Sequence, residues 1–275
     1  GYKREIAAYI LDKQHRAKVP YTIKASFPSH YFKQSKSNII GTIKHQQVQQ
    51  QQQQQRYMSI KSSSASKYGA LQLYIPDTIE VGDYSHNSFK IEQVQYIAAM
   101  DLRLLNLDRN DGNILFSQYN KELIPIDHAM TLPETINVPT WFDLCWLSWW
   151  QIKAPINEQV QDYLLHLNID DDLLELEQLG ISKNAINLIR VSEEILKQCI
   201  RAGLNLYEIA NIYIRQDIDQ ASPFEICIKG SINTNNKDKI PNGENLDFYK
   251  SIKDRMDIII KDTINKRDAT QQLIK

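Results

Sequence analysis

Residues 107–116, LDRNDGNILF, and residues 123–133, LIPIDHAMTLP, decide how this chain is read. In the first stretch Asp108, Arg109, Asn110, Asp111 and Asn113 crowd ahead of a short apolar run. In the second, Asp127 closes the apolar run LIPI. NILFS and ELIPI read as two short strands joined by a polar turn at 118–121, a hairpin. Such a hairpin returns the end of its second strand to the start of its first, so Asp108, Asn113 and Asp127 can converge on one small volume. Hard oxygen donors meeting there suit Mg²⁺ held against phosphates. A carboxylate left off the metal can orient a hydroxyl or accept its proton. Taken alone, the pair Asp108 and Asn113 reads more simply as an Asx-type turn ahead of a strand. Asp127 tips the balance, because an unpaired carboxylate at the end of an apolar strand is costly.

Outward from this device the pattern alternates between elements and breaks. Residues 2–13, YKREIAAYILDK, place Ile6, Tyr9 and Ile10 on one helical face. VPYTIKASF (19–27) and GALQLYIP (69–76) read as strands, the second ended by Pro76. Between them lies a Gln/Ser-rich insertion, 45–67, which cannot bury enough apolar area to offset chain entropy. The stretch 87–106 is a helix with Ile91, Val94, Ile97, Ala98 and Leu102 along one stripe. From Trp141 onward the periodicity is helical, over 156–166, 170–178, 182–202 and 205–216. After Pro223 a polar linker through 245 leads to an amphipathic tail helix carrying Tyr249, Ile252, Met256, Ile259 and Ile260.

The chain has 275 residues, 42% of them apolar, and a formal net charge of -1, which is enough for a large core and gives no global attraction to nucleic acid. Its three cysteines, Cys145, Cys199 and Cys227, are scattered and match no metal or disulfide spacing, as expected in a reducing, cytoplasmic setting. The aromatic run 141–150, WFDLCWLSWW, is too short to span a bilayer.

The order of helix, D-x-x-x-x-N loop, hairpin and aspartate is that of the kinase catalytic lobe. LDRNDGNILF…LIPIDHAMTLP resembles the catalytic and metal-binding loops of the phosphatidylinositol 3-/4-kinase superfamily, above all the type II and plant gamma-type phosphatidylinositol 4-kinases. REIAAYILDK…VPYTIKASF, YGALQLYI, the 141–180 segment and RAGLNLYEIANIYIR resemble further parts of that domain, so the resemblance covers about residues 2–216. It implies an α+β, protein-kinase-like, two-lobed fold: a partial N-lobe over 1–76, a mainly helical C-lobe over 77–220, and the linker and tail helix over 221–275. It implies ATP and Mg²⁺ as cofactors. Asp108, with Arg109 beside it, matches the catalytic loop, and Asn113 and Asp127 match the metal ligands. Glu5 matches the helix glutamate that would pair with an ATP-binding lysine. Leu73 and Ile75 match the hinge, where backbone groups would meet adenine.

The superfamily's phosphate-covering loop and ATP-binding lysine precede the helix that starts here at Tyr2. The chain opens on Gly1 and reads as a fragment, so residues 1–275 alone are expected to show little turnover. Ala129 stands where the family reads glycine, and would be strained if that position required left-handed backbone. The segment 127–151 holds no Lys or Arg, which favours phosphatidylinositol, or a protein hydroxyl, over a polyphosphorylated lipid as acceptor. The Trp141–Trp150 run reads as C-lobe core, with part of it suited to peripheral membrane contact. The rival from another class is an inactive pseudokinase or scaffold.

Overall fold

The computed structural model describes residues 1–28, 66–136, 143–217, 219–232 and 240–274. The first helix, α1 (Tyr2–Leu11), buries Ile6, Ala7, Ala8 and Leu11. It packs on an antiparallel pair, β1 (Thr22–Pro28) with β2 (Ser66–Gln72). The pairing sets Ile23 against Leu71, and the Leu73 N–H donates to the Tyr21 carbonyl at 2.8 Å. One face of this ribbon thus leaves Tyr21, Ile23, Leu71 and Leu73 exposed. Most of the glutamine- and serine-rich insertion lies outside the described residues. Its last two residues, Ser66 and Lys67, belong to β2.

A second sheet holds the loop in question. β3 (Thr78–Glu80), β5 (Ile114–Ser117) and β6 (Glu122–Pro125) run antiparallel in that order. The hairpin β5–β6 is the one the sequence predicts. β3 is too short and too polar to announce itself by alternation. A two-residue strand, β4 (Asp108–Arg109), pairs in parallel with β7 (Asp143–Leu144).

Against β6 packs α2 (Ile91–Leu104), buried almost all round from Val94 onward. It ends abruptly. Leu105 adopts a left-handed backbone at φ 52, and Asn106 N–H returns to the Asp101 carbonyl at 2.8 Å. This closure satisfies the last carbonyls and throws the chain straight into the 106–113 loop. The position usually belongs to glycine. Here the side chain that bears the strain, Leu105, is itself buried in the core.

The rest is helical: α3 (Glu158–Leu165), α4 (Ile169–Leu179), α5 (Lys183–Arg201), α6 (Leu206–Tyr213), α7 (Pro223–Ser231) and α8 (Leu246–Ile274). α5 is the central column, packed by α2, α4 and α8, with Ile189, Val191, Ile195 and Cys199 fully buried. α8 buries Phe248, Ile252, Met256 and Ile260, one stripe at four-residue spacing, and runs ten residues past the periodicity that predicts it. The linker expected after Pro223 begins later. α7 occupies its start and buries Phe224, Cys227 and Ile228. Residues 145–152, expected to join the helical run, form two 3₁₀ turns. Among the described residues no helix is long and apolar enough to cross a membrane.

Candidate active site

The site begins with a carboxylate inside an apolar helix. Asp101 lies in α2, is 2% exposed, and accepts four partners. These are Arg109 Nε (3.0 Å), Arg109 Nη2 (3.0 Å), Asn106 Nδ2 (2.8 Å) and Trp146 Nε1 (2.9 Å). Arg109 has no exposed surface. Its remaining nitrogen donates to the carbonyls of Asn113 (2.7 Å) and Ile126 (2.5 Å). One guanidinium therefore ties α2 to both ends of the β5–β6 device. The sequence places Arg109 beside Asp108 as a catalytic-loop residue. Its burial corrects that expectation, because a fully enclosed guanidinium cannot touch a substrate. It fixes the backbone at Asn113 and Ile126.

Asp108 is held on three sides. Its N–H donates to Asn106 Oδ1 (3.2 Å), its carbonyl accepts from Asn113 Nδ2 (2.8 Å), and its carboxylate accepts from Asn110 Nδ2 (2.8 Å). Asn110 Oδ1 also caps the turn Asp111–Asn113 by accepting from Gly112 N–H. The Asx-type turn expected here is present, made by Asn110. Asp111 is exposed at the turn and contributes none of these bonds to Asp108.

The ladder sets Asn113 against Ile126: Ile114 faces Pro125, Ile126 N–H donates to the Asn113 carbonyl at 2.9 Å, and Asp127 is the next residue beyond that pair. Asp127 sits at φ 50. This is the left-handed position of the loop. Ala129, in the family's glycine position, is not among the residues at positive φ, so the strain expected there does not arise. The Asp127 carboxylate accepts from Ala129 N–H at 3.2 Å and faces solvent.

Glu5 reaches this loop from α1. Its carboxylate accepts from His128 N–H at 3.0 Å and lies 3.6 Å from His128 Nδ1. Burial pushes the Glu5 carboxyl up, and His128, through side chain and backbone, more than reverses it, holding Glu5 below the usual range. His128 is completely buried, and its ring nitrogens find no hydrogen-bond partner. Burial lowers its pKa, the Arg109 charge adds to that, and Glu5 opposes both. Leu73 and Ile75 lie past the end of β2, in the extended connector to β3. The Leu73 N–H is already taken by the Tyr21 carbonyl.

The donor set suits a hard divalent ion. Because Asn113 Nδ2 is committed to the Asp108 carbonyl, its Oδ1 is turned away from that bond. Asp127 adds an exposed carboxylate across the ladder. Among the described residues no group of three or more His, Cys, Asp or Glu could hold a metal. Two protein oxygens completed by phosphate and water are a common arrangement for Mg²⁺.

This geometry coincides with a family match. The family model described as phosphatidylinositol 3- and 4-kinase matches residues 1–209. The chain belongs to that family. Its relatives include phosphatidylinositol 4-kinase gamma 4 of Oryza sativa subsp. japonica, 35% identical over 60% of this chain and 30% of the relative. Phosphatidylinositol 4-kinase gamma 1 of Arabidopsis thaliana is 33% identical over 75% of this chain and 35% of the relative. Gamma 5 of the same plant is 29% identical over 78% and 32%. The chain thus spans about a third of the length of these curated relatives. The mixed helix-and-sheet architecture is consistent with a kinase domain of this family.

Sequence reasoning gave no role to Asp101, Asn106, Asn110 and Trp146, nor to Arg4, whose Nη1 donates to the Ala129 carbonyl at 3.0 Å. A signal for Asp101 was present: a carboxylate in the middle of AAMDLRLL needs a buried cation, and Arg109 is eight residues on. The tryptophan run assigned to the core divides. Trp146 and Trp149 are buried, Trp150 is 47% exposed, and Trp141 lies outside the described residues.

Proposed function

We propose that this chain is the catalytic domain of a phosphatidylinositol 4-kinase-like phosphotransferase, which moves the ATP γ-phosphate to an inositol hydroxyl. What supports the reading is a loop–hairpin device that carries Asp108, Asn113 and Asp127, with Asn113 bonded to the Asp108 carbonyl and its own carbonyl to Ile126 N–H, within a matched kinase family. Asn113 Oδ1 and the Asp127 carboxylate would hold Mg²⁺, which supplies charge neutralisation on the phosphates. Asp108 orients the acceptor hydroxyl and accepts its proton. Asn110 fixes one carboxylate oxygen and leaves the other for that task. Arg109 and Asp101 keep the three groups in register, which matters because phosphoryl transfer rests on positioning and electrostatics more than on covalent help. In a two-lobed arrangement, the β1–β2 ribbon and α1 form the described part of the N-lobe.

The acceptor side favours an inositol ring bearing no extra phosphates. Residues 127–151 hold no Lys or Arg. The fold brings cations to this region from α1 instead, and those are engaged: Arg4 Nη1 donates to the Ala129 carbonyl at 3.0 Å and Lys3 Nζ to the Gly180 carbonyl at 2.7 Å. Met130 and Trp150, both 47% exposed, supply apolar surface suited to a peripheral membrane contact at the cytoplasmic face. The test offers labelled ATP to the full natural protein with phosphatidylinositol vesicles, monophosphorylated inositide vesicles and a generic protein substrate. Label in phosphatidylinositol is expected. Label in protein alone moves the reading to a protein kinase, and label in nothing moves it to a scaffold.

A further inference from the structure

Two adjacent residues of α1 grip the metal loop from opposite chemistries. Glu5 accepts the His128 N–H at 3.0 Å, and Arg4 Nη1 donates to the Ala129 carbonyl at 3.0 Å. Ala129 N–H in turn donates to the Asp127 carboxylate. The peptide groups just beyond Asp127 are therefore held by an acceptor and a donor fixed one residue apart on a helix. Asp127 itself stands at φ 50, a conformation an aspartate leaves readily unless its surroundings hold it.

The helix that provides this grip is itself secured at both ends. At its start, Lys3 donates to the Gly180 carbonyl, the C-terminal cap of α4. At its end, Arg103 of α2 donates to the Leu11 carbonyl at 3.1 Å. That same arginine, 2% exposed, pairs with Asp172 and Glu193, and Lys13 bridges to Asp172 (3.1 Å) and Glu175 (3.0 Å). Asp172 thus accepts from Arg103 in the core and from Lys13 just past α1. A helix anchored to the helical body at both ends presents its first turn at a fixed height and angle.

We infer that Arg4, together with Glu5, is a positioning residue for the metal loop, holding Asp127 in its left-handed conformation and its carboxylate on the Ala129 N–H. The inference rests on the phosphotransferase reading for its consequence, and on the geometry alone for the clamp. Glu5 then acts on the loop directly, and not only through a lysine upstream.

Hydrogen exchange and Mn²⁺ affinity, measured on this chain, separate the two. Arg4→Ala should speed exchange at the amides of 128–130 about tenfold, the weight of one hydrogen bond, and weaken Mn²⁺·ATP-analogue binding by about the same factor. The exchange of α5 amides and the melting temperature should stay near wild type. Arg4→Lys, which keeps a donor, should recover part of both effects, and Glu5→Ala should mimic Arg4→Ala while Glu5→Gln recovers part. If the wild-type chain binds Mn²⁺ but Arg4→Ala changes neither local exchange nor affinity, the clamp is overturned and the kinase reading stands. If Arg4→Ala speeds exchange across the whole chain, Arg4 is merely structural and the inference falls. If the wild-type chain takes up no Mn²⁺ with nucleotide, the metal-site reading fails for residues 1–275, and the local exchange at 128–130 decides the clamp on its own.

Discussion

Asp101 and Arg109 form a fully enclosed ion pair, with two guanidinium nitrogens 3.0 Å from the carboxylate, and the arginine's third nitrogen reaches the carbonyls of both Asn113 and Ile126. The distance between the two halves of the site is therefore set by one buried side chain. Removing one partner of such a pair strands the other charge in the core, which costs about 3–5 kcal/mol. Arg109→Met and Asp101→Asn should each lower unfolding stability by that order in a denaturant titration, with Asp101→Asn also shifting Trp146 fluorescence through loss of its indole partner.

The loop residues separate cleanly by role. In the full natural protein, Asp108→Ala and Asp127→Ala should cut turnover by at least about a hundredfold, the scale of a lost acid–base or charge-positioning group, while circular dichroism melts stay near wild type. Asn110→Ala should cost roughly tenfold in kcat, one hydrogen bond's worth of orientation on Asp108. Asp111→Ala should leave turnover close to wild type, because its exposed carboxylate makes no bond to the cluster. Equal losses at Asp108 and Asp111 would count against the assignment.

What was legible in the chain follows from range. The β5–β6 hairpin, α2, α5 and the tail stripe declare themselves through local periodicity, because their buried faces repeat within one element. That the hairpin returns the chain at Ile126 to Asn113 was legible too, since a hairpin's ends meet by construction. Arg4 on Ala129 spans 125 residues and Arg103 on Glu193 spans 90. No local pattern encodes such meetings. α7 could have been read. Ser222, Pro223 and Glu225 spell a capping box with proline at the first turn, and the structure shows both reciprocal bonds. The polar residues that follow it concealed the helix as a linker.

That cap gives a pH prediction. Burial alone would raise the Glu225 carboxyl. Arg215, through Nε and Nη2 at 2.6 Å each, and the Ser222 N–H hold it below the usual range. A carboxyl depressed on folding stabilises the fold fully above its unfolded value, about 4.3, and loses that contribution as pH falls through the folded value. Unfolding free energy should therefore decline with acid below about pH 4.3, and Glu225→Gln should flatten that part of the slope. An identical acid limb in the variant would remove Glu225 from the account.

The thiols should be inert. Burial pushes Cys199 and Cys227 up to about 12, and raises Cys145 further still, with Asp111 adding to the effect. At pH 8 almost no thiolate exists on any of them. Native protein should react with a disulfide reagent far more slowly than a free thiol, and release three equivalents only when unfolded. Rapid labelling of the native state would show that α5 or α7 opens.

The central claim is that Asn113 and Asp127 hold a divalent ion against nucleotide phosphates beside Asp108. Paramagnetic broadening by Mn²⁺ in amide NMR spectra, with a non-hydrolysable ATP analogue present, tests it most directly. The amides of Asn113 and of 127–129 should broaden first and at substoichiometric Mn²⁺, those of α8 should stay sharp, and Asp127→Ala should abolish the effect. Broadening centred instead on the acidic start of α4, at Asp170 and Asp171, and unchanged by Asp127→Ala would contradict it.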